Sequence, residues 1–274
     1  MKIAATKAIR FCVFLSAIVM VFAVQGNAQL NGSAIAVWLF DEGRGGESND
    51  LSGNGNTATL INGPKWVDGK FGSGIDFDGS DDFVSIGESQ DWDIGSGDFT
   101  IMLWFFPRAE RKTALITSAT DYWAGIMFHN VGTRNICIWA SSGGKFWDII
   151  HSDPGGTGIG NVSVPLNEWS HVAYVRSGNQ WKSYVNGVAD VSVTGEGPLV
   201  DRTNEEKIIG RWGNPNDRGW FDGIIDEVAI FGAALSEDDI GAVMDSGLEE
   251  ATQRVSVDPA GKIALSWGWL KAAK

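Results

Sequence analysis

The stretch that most restricts the fold is Trp220 to Phe231, WFDGIIDEVAIF. β-Branched and aromatic residues fill it and no proline interrupts it, which is the composition of a strand. Side chains alternate along a strand. Strict alternation puts Ile224, Asp226, Val228 and Ile230 on one side, with Phe221, Ile225, Glu227, Ala229 and Phe231 on the other. Asp226 then stands in a row of core residues. A carboxylate there is costly unless hydrogen bonds or a cation compensate it.

The rest of the chain repeats this kind of element. Ala34 to Phe40 (AIAVWLF) is an apolar strand, followed by the polar, glycine-rich loop DEGRGGESNDLSGNGN. Thr57 to Ile61 is a short strand, and Phe71 to Ile86 reads as two strands around a turn at Asp78 to Asp81. Phe99 to Phe106 (FTIMLWFF) is apolar on both faces, as a strand covered on each side must be. Short strands follow at Leu115–Thr117, Gly125–His129, Asn135–Ala140 and Phe146–Ile150, with 155–160 as a loop. Trp169–Arg176 pairs with Gln180–Val185, and Asn186-Gly187 turns the chain into Val188–Val193. Lys207–Arg211 completes the set. Ser236 opens one helix, SEDDIGAVMD, with Asp239 three places on as a capping box. Such a helix is expected to pack across a sheet edge.

Many short strands at regular spacing with almost no helix predict an all-β fold, an antiparallel β-sandwich of the jelly-roll kind. Residues 29–248 form that domain, and 249–274 read as a polar linker and tail. Residues 1–28 read as a signal peptide: Lys2, Lys7 and Arg10 precede the apolar run Phe11 to Val24 and the small-residue site Gly26-Asn27-Ala28. The run is short for a bilayer span of about 20 residues, so no stable membrane insertion is expected after cleavage. The expected location is secreted or cell-envelope. Cleavage removes three cations and no acid, taking the net charge from −13 to −16. That balance argues against nucleic acid, whose phosphates demand a basic face. Cys137 is then a lone cysteine between two isoleucines, expected to be a small buried hydrophobe without a disulfide.

Several motifs carry a family. AVWLFDEG, DLSGNGNTATL and PKWVDGKFGSGIDFDGSDDFVSI come first; FTIMLWFFP, EWSHVAYVRSGNQWKSYVNG, IIGR and WFDGIIDEVAIFGAALSEDDI follow. In this order, over residues 34–247, they resemble the laminin G-like (LamG) domains of the concanavalin A-like lectin/glucanase superfamily. The resemblance implies two antiparallel sheets, often a calcium ion at the rim, and carbohydrate or protein ligands.

Three kinds of site are candidates. For Ca2+, which takes six to eight oxygens, Asp226 supplies a carboxylate and the early loop supplies Asp41, Asp50, Asn54 and Asn56; the resemblance points most to Asp50 and Asp226. First and last strands side by side would let the two groups meet. The competing reading has Asp226 accept backbone N–H bonds while the other residues form turns. For a sugar, Trp123, Trp147, Trp212 and Trp220 lie in or beside loops, with Arg211, Asn214, Asn216 and Asp217 as polar neighbours. These tryptophans could equally plug the ends of the sandwich, while Trp38, Trp104 and Trp169 belong to the core. For catalysis, a retaining glycosidase needs two carboxylates about 5 Å apart. Asp226 and Glu227 are adjacent and, by alternation, point to opposite faces. No histidine has a catalytic or metal spacing, and His171 reads as a structural residue with its bonds satisfied.

The expected function is an exported, non-catalytic module that binds polysaccharide or glycoprotein, with structural calcium. Two alternatives stand beside it: an adhesion domain that binds a protein partner, and a divergent glycoside hydrolase or polysaccharide lyase.

Overall fold

The structure, a computed structural model, describes residues 30, 32–87, 95–118, 125–129, 134–141, 149–150, 158–199, 206–212 and 219–253. The expected signal segment lies outside the described residues, as do residues 254–274.

The described strands are β1 (Ala34–Trp38), β2 (Glu47–Ser48), β3 (Ala58–Ile61), β4 (Lys65–Asp68), β5 (Ser73–Asp78), β6 (Phe83–Gly87), β7 (Phe99–Pro107) and β8 (Thr113–Ser118). They continue as β9 (Gly125–His129), β10 (Asn135–Trp139), β11 (Ile159–Ser163), β12 (Ser170–Ser177), β13 (Gln180–Val185), β14 (Val188–Thr194), β15 (Lys207–Ile209) and β16 (Asp222–Phe231). The helix near the end of the described residues, α1, spans Glu237–Gln253. Every described strand pairing is antiparallel. The first sheet runs β14-β13-β12-β7-β16-β5-β4, with β1 also on β16; the second runs β11-β10-β9-β8-β15-β6-β3-β2. The jelly-roll sandwich is therefore present. β2, β4 and β11 were not anticipated. All three are short edge strands with polar residues in ES, KWVD and IGNVS, so none carries the apolar run that marks a covered strand.

Between the sheets lies the main core, in which Ile75, Phe77, Val84, Leu103, Phe105, Ile116, Ile138, Tyr174 and Trp181 interdigitate around Trp38. α1 lies over the outer face of the first sheet rather than its edge. Ile240, Val243, Leu248 and Ala251 pack there on Met102, Ala173, Ala229 and Phe231. The Ser236 cap forms as expected: Asp239 N donates to Ser236 Oγ at 3.2 Å, and Asp239 Oδ2 accepts from Ser236 N at 3.1 Å. Residues 249–253, expected in a linker, continue this helix beyond a break at Gly247, whose φ is 78°. Leu248 and Ala251 have apolar partners on the sheet, which a polar reading of the stretch overlooked. Asn186 and Gly187 both take positive φ, 50° and 76°, as the expected two-residue hairpin turn requires.

β16 is the hub, and it is not a regular strand. Residues Asp222–Ile225 pair with β5, while Val228–Phe231 pair with β1. The ladder to β7 slips between Asp226 and Ala229, and Glu227 has φ 53°. This β-bulge inserts one residue and resets the alternation. Ile225, Val228 and Ile230 all face the main core, and Ala229 and Phe231 face α1. Asp226 and Glu227, between them, both leave the sheet on its outer side. Two sequence expectations are thereby corrected. Asp226 does not share a face with Val228, and it does not oppose Glu227.

Both carboxylates are buried, at 0% and 2% exposure. Asp226 Oδ2 accepts from Lys70 N at 2.8 Å and Phe71 N at 3.0 Å, and Oδ1 accepts from Glu227 N at 2.8 Å. Gly69 begins the turn that delivers those donors; a Cβ there would lie 2.4 Å from Ser73 O and 2.6 Å from Asp226 Oδ2. Glu227 Oε2 accepts from Leu248 N, which ties the bulge to the second half of α1. Burial pushes Asp226 up to about 7 against the opposing pull of its N–H donors. Burial likewise pushes Glu227 up to about 8, with the Asp226 charge adding to the effect.

Arg176 is another interior anchor. At 1% exposure it donates to Gly178 O, Gly95 O and Gly197 O at 2.9, 2.9 and 2.7 Å and lies 4.6 Å from the Trp181 ring centroid. Arg176→Met leaves three carbonyls without their charged donor. It is expected to lose about 3–5 kcal/mol in urea unfolding. The buried pair sets a pH dependence. Folded Asp226 and Glu227 hold protons that the unfolded chain releases near pH 4. Their stabilisation is therefore complete below that pH and lost as pH rises through about 7 to 8. The slope is up to ~1.4 kcal/mol per pH unit for each group. The melting temperature is expected to fall from pH 5 to pH 9, and Glu227→Gln, which keeps an acceptor for Leu248 N, is expected to flatten that fall.

Candidate functional site

The five residues expected to share calcium are divided between two places. β1 and β16 do lie side by side, yet Asp50 does not meet Asp226. Asp50 Oδ1 accepts from Val37 N and Ser52 N at 2.9 and 2.8 Å; Oδ2 accepts from Ser52 Oγ, Asn56 N and Asn56 Nδ2 at 2.8, 3.0 and 3.1 Å. Asn54 and Asn56 turn their amide nitrogens to the β1 backbone, both donating to Ile35 O. Asp50 therefore knots the glycine-rich loop onto β1. Asp41 stands nearer the bulge, where Oδ1 accepts from Ser73 N at 2.7 Å and its charge raises both buried carboxyls. Five donors surround Asp50 and three surround Asp226, at two separate places, so the carboxylates are compensated by N–H and O–H groups and not gathered as one six-to-eight-oxygen shell. The set does not fit calcium. Among the described residues, the acidic oxygens that do converge, within 4.8 Å, are those of Asp78, Asp81 and Asp82. They lie at the β5–β6 turn, where Asp82 Oδ2 accepts from Asp78 N. Burial raises Asp82, and neighbouring charges add to this.

His171 is buried at 1% exposure, and neither ring nitrogen has a hydrogen-bond partner. The expectation of a satisfied histidine is corrected. It sits opposite Trp104 on the outer face of the first sheet, with ring centroids 5.2 Å apart. Burial drops its pKa to about 3, so it stays neutral. Trp38 is fully buried between the sheets, and Trp104 is buried under Lys70 and Phe71 on the outer face. Trp169 is only half-buried, against Phe106.

Of the residues expected to bind a sugar, Trp123, Trp147, Asn214, Asn216 and Asp217 lie outside the described residues. The structure brings Arg211, Trp212 and Trp220 together where β15 leaves the second sheet. Arg211 forms an antiparallel bridge with Trp220, and Trp212 N donates to Gly219 O at 2.9 Å. Position 219 has room only for glycine, since a Cβ there would lie 2.8 Å from Trp212 Cβ. The Arg211 guanidinium carbon stands 4.4 Å from the Phe83 ring centroid and 5.5 Å from that of Trp220. Phe83 and Trp220 lie 6.2 Å apart at 43°. Lys112 Nζ is 5.3 Å from the Trp212 ring, whose inner edge packs with Ala114, Cys137 and Ile159. Burial pushes the Cys137 thiol up to about 12, so it acts as the expected apolar residue.

Arg211, 7% exposed, is a pillar under the rings rather than a group that reaches solvent; burial lowers its pKa and Glu206 opposes that. Trp212 and Trp220 are half-exposed. The result is an aromatic shelf on the outer face of the second sheet, with the Lys112 ammonium at its edge. Sequence reading missed Phe83 and Lys112. The signal for Phe83 was present, because Val84 and Ile86 take the core side of β6 and alternation sends Phe83 outward.

Comparison with known proteins fits this architecture. No curated protein matches the chain in sequence. Domain 4 of AbnA, an extracellular arabinanase from Geobacillus stearothermophilus solved with arabinotriose, superposes with a TM-score of 0.57 at 21% identity, covering 75% of this chain and 95% of that one. The binding domain of Paraclostridial Mosquitocidal Protein 1 gives 0.61 at 19%, covering 80% and 53%. The botulinum neurotoxin DC binding domain in complex with SialylT gives 0.59 at 14%, covering 79% and 52%. This chain thus spans about half the length of those toxin binding domains, and at such identities the likeness is one of fold. The model of the laminin G-like family matches residues 78–241, more than half of the chain, which therefore belongs to the concanavalin A-like lectin/glucanases superfamily.

Proposed function

We propose that this protein is an exported, non-catalytic carbohydrate-binding module whose ligand lies across Trp212 and Trp220. The observation that carries this reading is the aromatic shelf itself. The half-exposed Trp220 indole is braced by Arg211 and Phe83, and the half-exposed Trp212 indole rests on Ala114, Cys137 and Ile159, so each ring is held by packing before any ligand arrives. Rigid aromatic faces bind at little entropic cost, and an indole offers an apolar face to a pyranose or furanose ring. The Lys112 ammonium beside Trp212 supplies a donor for ring hydroxyls. The arabinotriose complex of AbnA domain 4 and the SialylT complex of the toxin binding domain support the ligand class.

The bulge carboxylates support the non-catalytic part of the reading. Asp226 and Glu227 share a side, but they are closed over by the 69–73 turn and α1 and bonded to backbone N–H groups. A glycosidic oxygen cannot come within the hydrogen-bond reach that general acid catalysis requires.

Affinity electrophoresis against arabinan, pectin, xylan and β-glucan tests the proposal. The wild type is expected to be retarded by at least one of them. Trp212→Ala and Trp220→Ala are each expected to weaken that retardation about tenfold, the equivalent of ~1.4 kcal/mol, without release of reducing sugar. Retardation by none of the four, or unchanged binding in both variants, overturns it.

A further inference from the structure

α1 does not cover the whole outer face of the first sheet. Beside its first turn, the β12–β13 hairpin leaves an open cleft of about 270 Å³. Val175 and Leu235, 5% and 4% exposed, form an aliphatic floor. Gln180 and Lys182 rise on one side, and Ser236 and Glu237 on the other. The sheet register causes this convergence. Val175 pairs with Lys182 and Ser177 with Gln180, so these side chains share one face of the hairpin. Tyr184, two places beyond Lys182, is 4% exposed and donates its hydroxyl to Glu237 Oε1 at 3.2 Å. That bond holds an otherwise solvent-facing carboxylate at the cleft's edge. Gln180 is oriented in turn, its Nε2 donating to Thr194 Oγ1 at 2.9 Å.

The chemistry of the walls selects the ligand class. An anion would meet Lys182 but also Glu237, and a cation would meet the reverse. A neutral ligand with several hydroxyls satisfies both walls. Its O–H groups donate to Glu237 and accept from Lys182 and Gln180, while its C–H face rests on Val175 and Leu235. The volume falls just below the ~300–1,000 Å³ of sites that enclose drug-sized ligands, which suits one ring rather than a chain. We propose that this cleft binds a single neutral sugar residue, as a second site on the sheet opposite the Trp212–Trp220 shelf. The protein would then hold two glycan branches on opposite faces.

The test is an amide NMR titration of the full chain with D-glucose, D-galactose and L-arabinose at millimolar concentration. The expected result is saturable perturbation at residues 177–184 and 235–238 with at least one sugar. Lys182→Ala and Glu237→Gln change exposed side chains and are expected to leave the remaining spectrum folded and dispersed. Each is expected to weaken the perturbation at least tenfold. The shelf reading fails independently, through Trp212 and Trp220 in polysaccharide binding. No perturbation at the cleft with any of the three sugars overturns the proposal, as does a perturbation that both variants leave intact.

Discussion

One irregularity in β16 arranges the rest of this molecule. The strand borders β7 along one side, but on its other side it serves two neighbours in turn, β5 and then β1. Between those partners the ladder has a gap, and the bulge at Asp226 and Glu227 falls in it. Backbone donors that enter the gap need acceptors, since burial without them costs about 1–3 kcal/mol each. Asp226 supplies these to Lys70 and Phe71, and Glu227 supplies one to Leu248. The two carboxylates thus join three separated parts of the chain at the centre of the sheet. Their elevated pKa values record the cost of placing them out of water.

This use of the acids decides where ligands can go. Over the bulge, α1 and the 69–73 turn close this face to a polymer, and the carboxylates there already have partners. The outer face of the second sheet has no helix over its described residues. There the chain places Trp212 and Trp220, the second braced by a buried guanidinium that itself stays out of reach. The sandwich therefore separates its work: acidic groups stabilise one side, and aromatic groups remain accessible on the other.

Much of this was legible in the sequence, for stated reasons. Alternation and turn chemistry gave the long strands β7, β12 and β13, the Asn186-Gly187 hairpin and the Ser236 cap, because those signals are local. Asp226 could be recognised as a misfit from composition alone. Its partner could not. A bulge is a slip between strands distant in sequence, and no residue in IIDEVAIF announces it; Glu227 takes positive φ without being glycine or asparagine. Strict alternation then sent Asp226 to the core face of Val228 and Ile230 and made the opening loop the natural source of compensation. That loop's carboxylate, Asp50, is instead consumed locally, by donors within a few residues and from β1. The shelf was half legible: Trp212, Trp220 and Arg211 adjoin along the chain, whereas Phe83 and Lys112 arrive through sheet pairing.

The most direct test of the bulge as an anchor is carbon-13 NMR titration of the Asp226 and Glu227 carboxyl groups, run with and without calcium. The structure predicts that both titrate well above the ordinary carboxylate range, near neutrality, on curves that calcium leaves unmoved. Two carboxyls that ionise near pH 4, or whose titration calcium shifts downward, would contradict it.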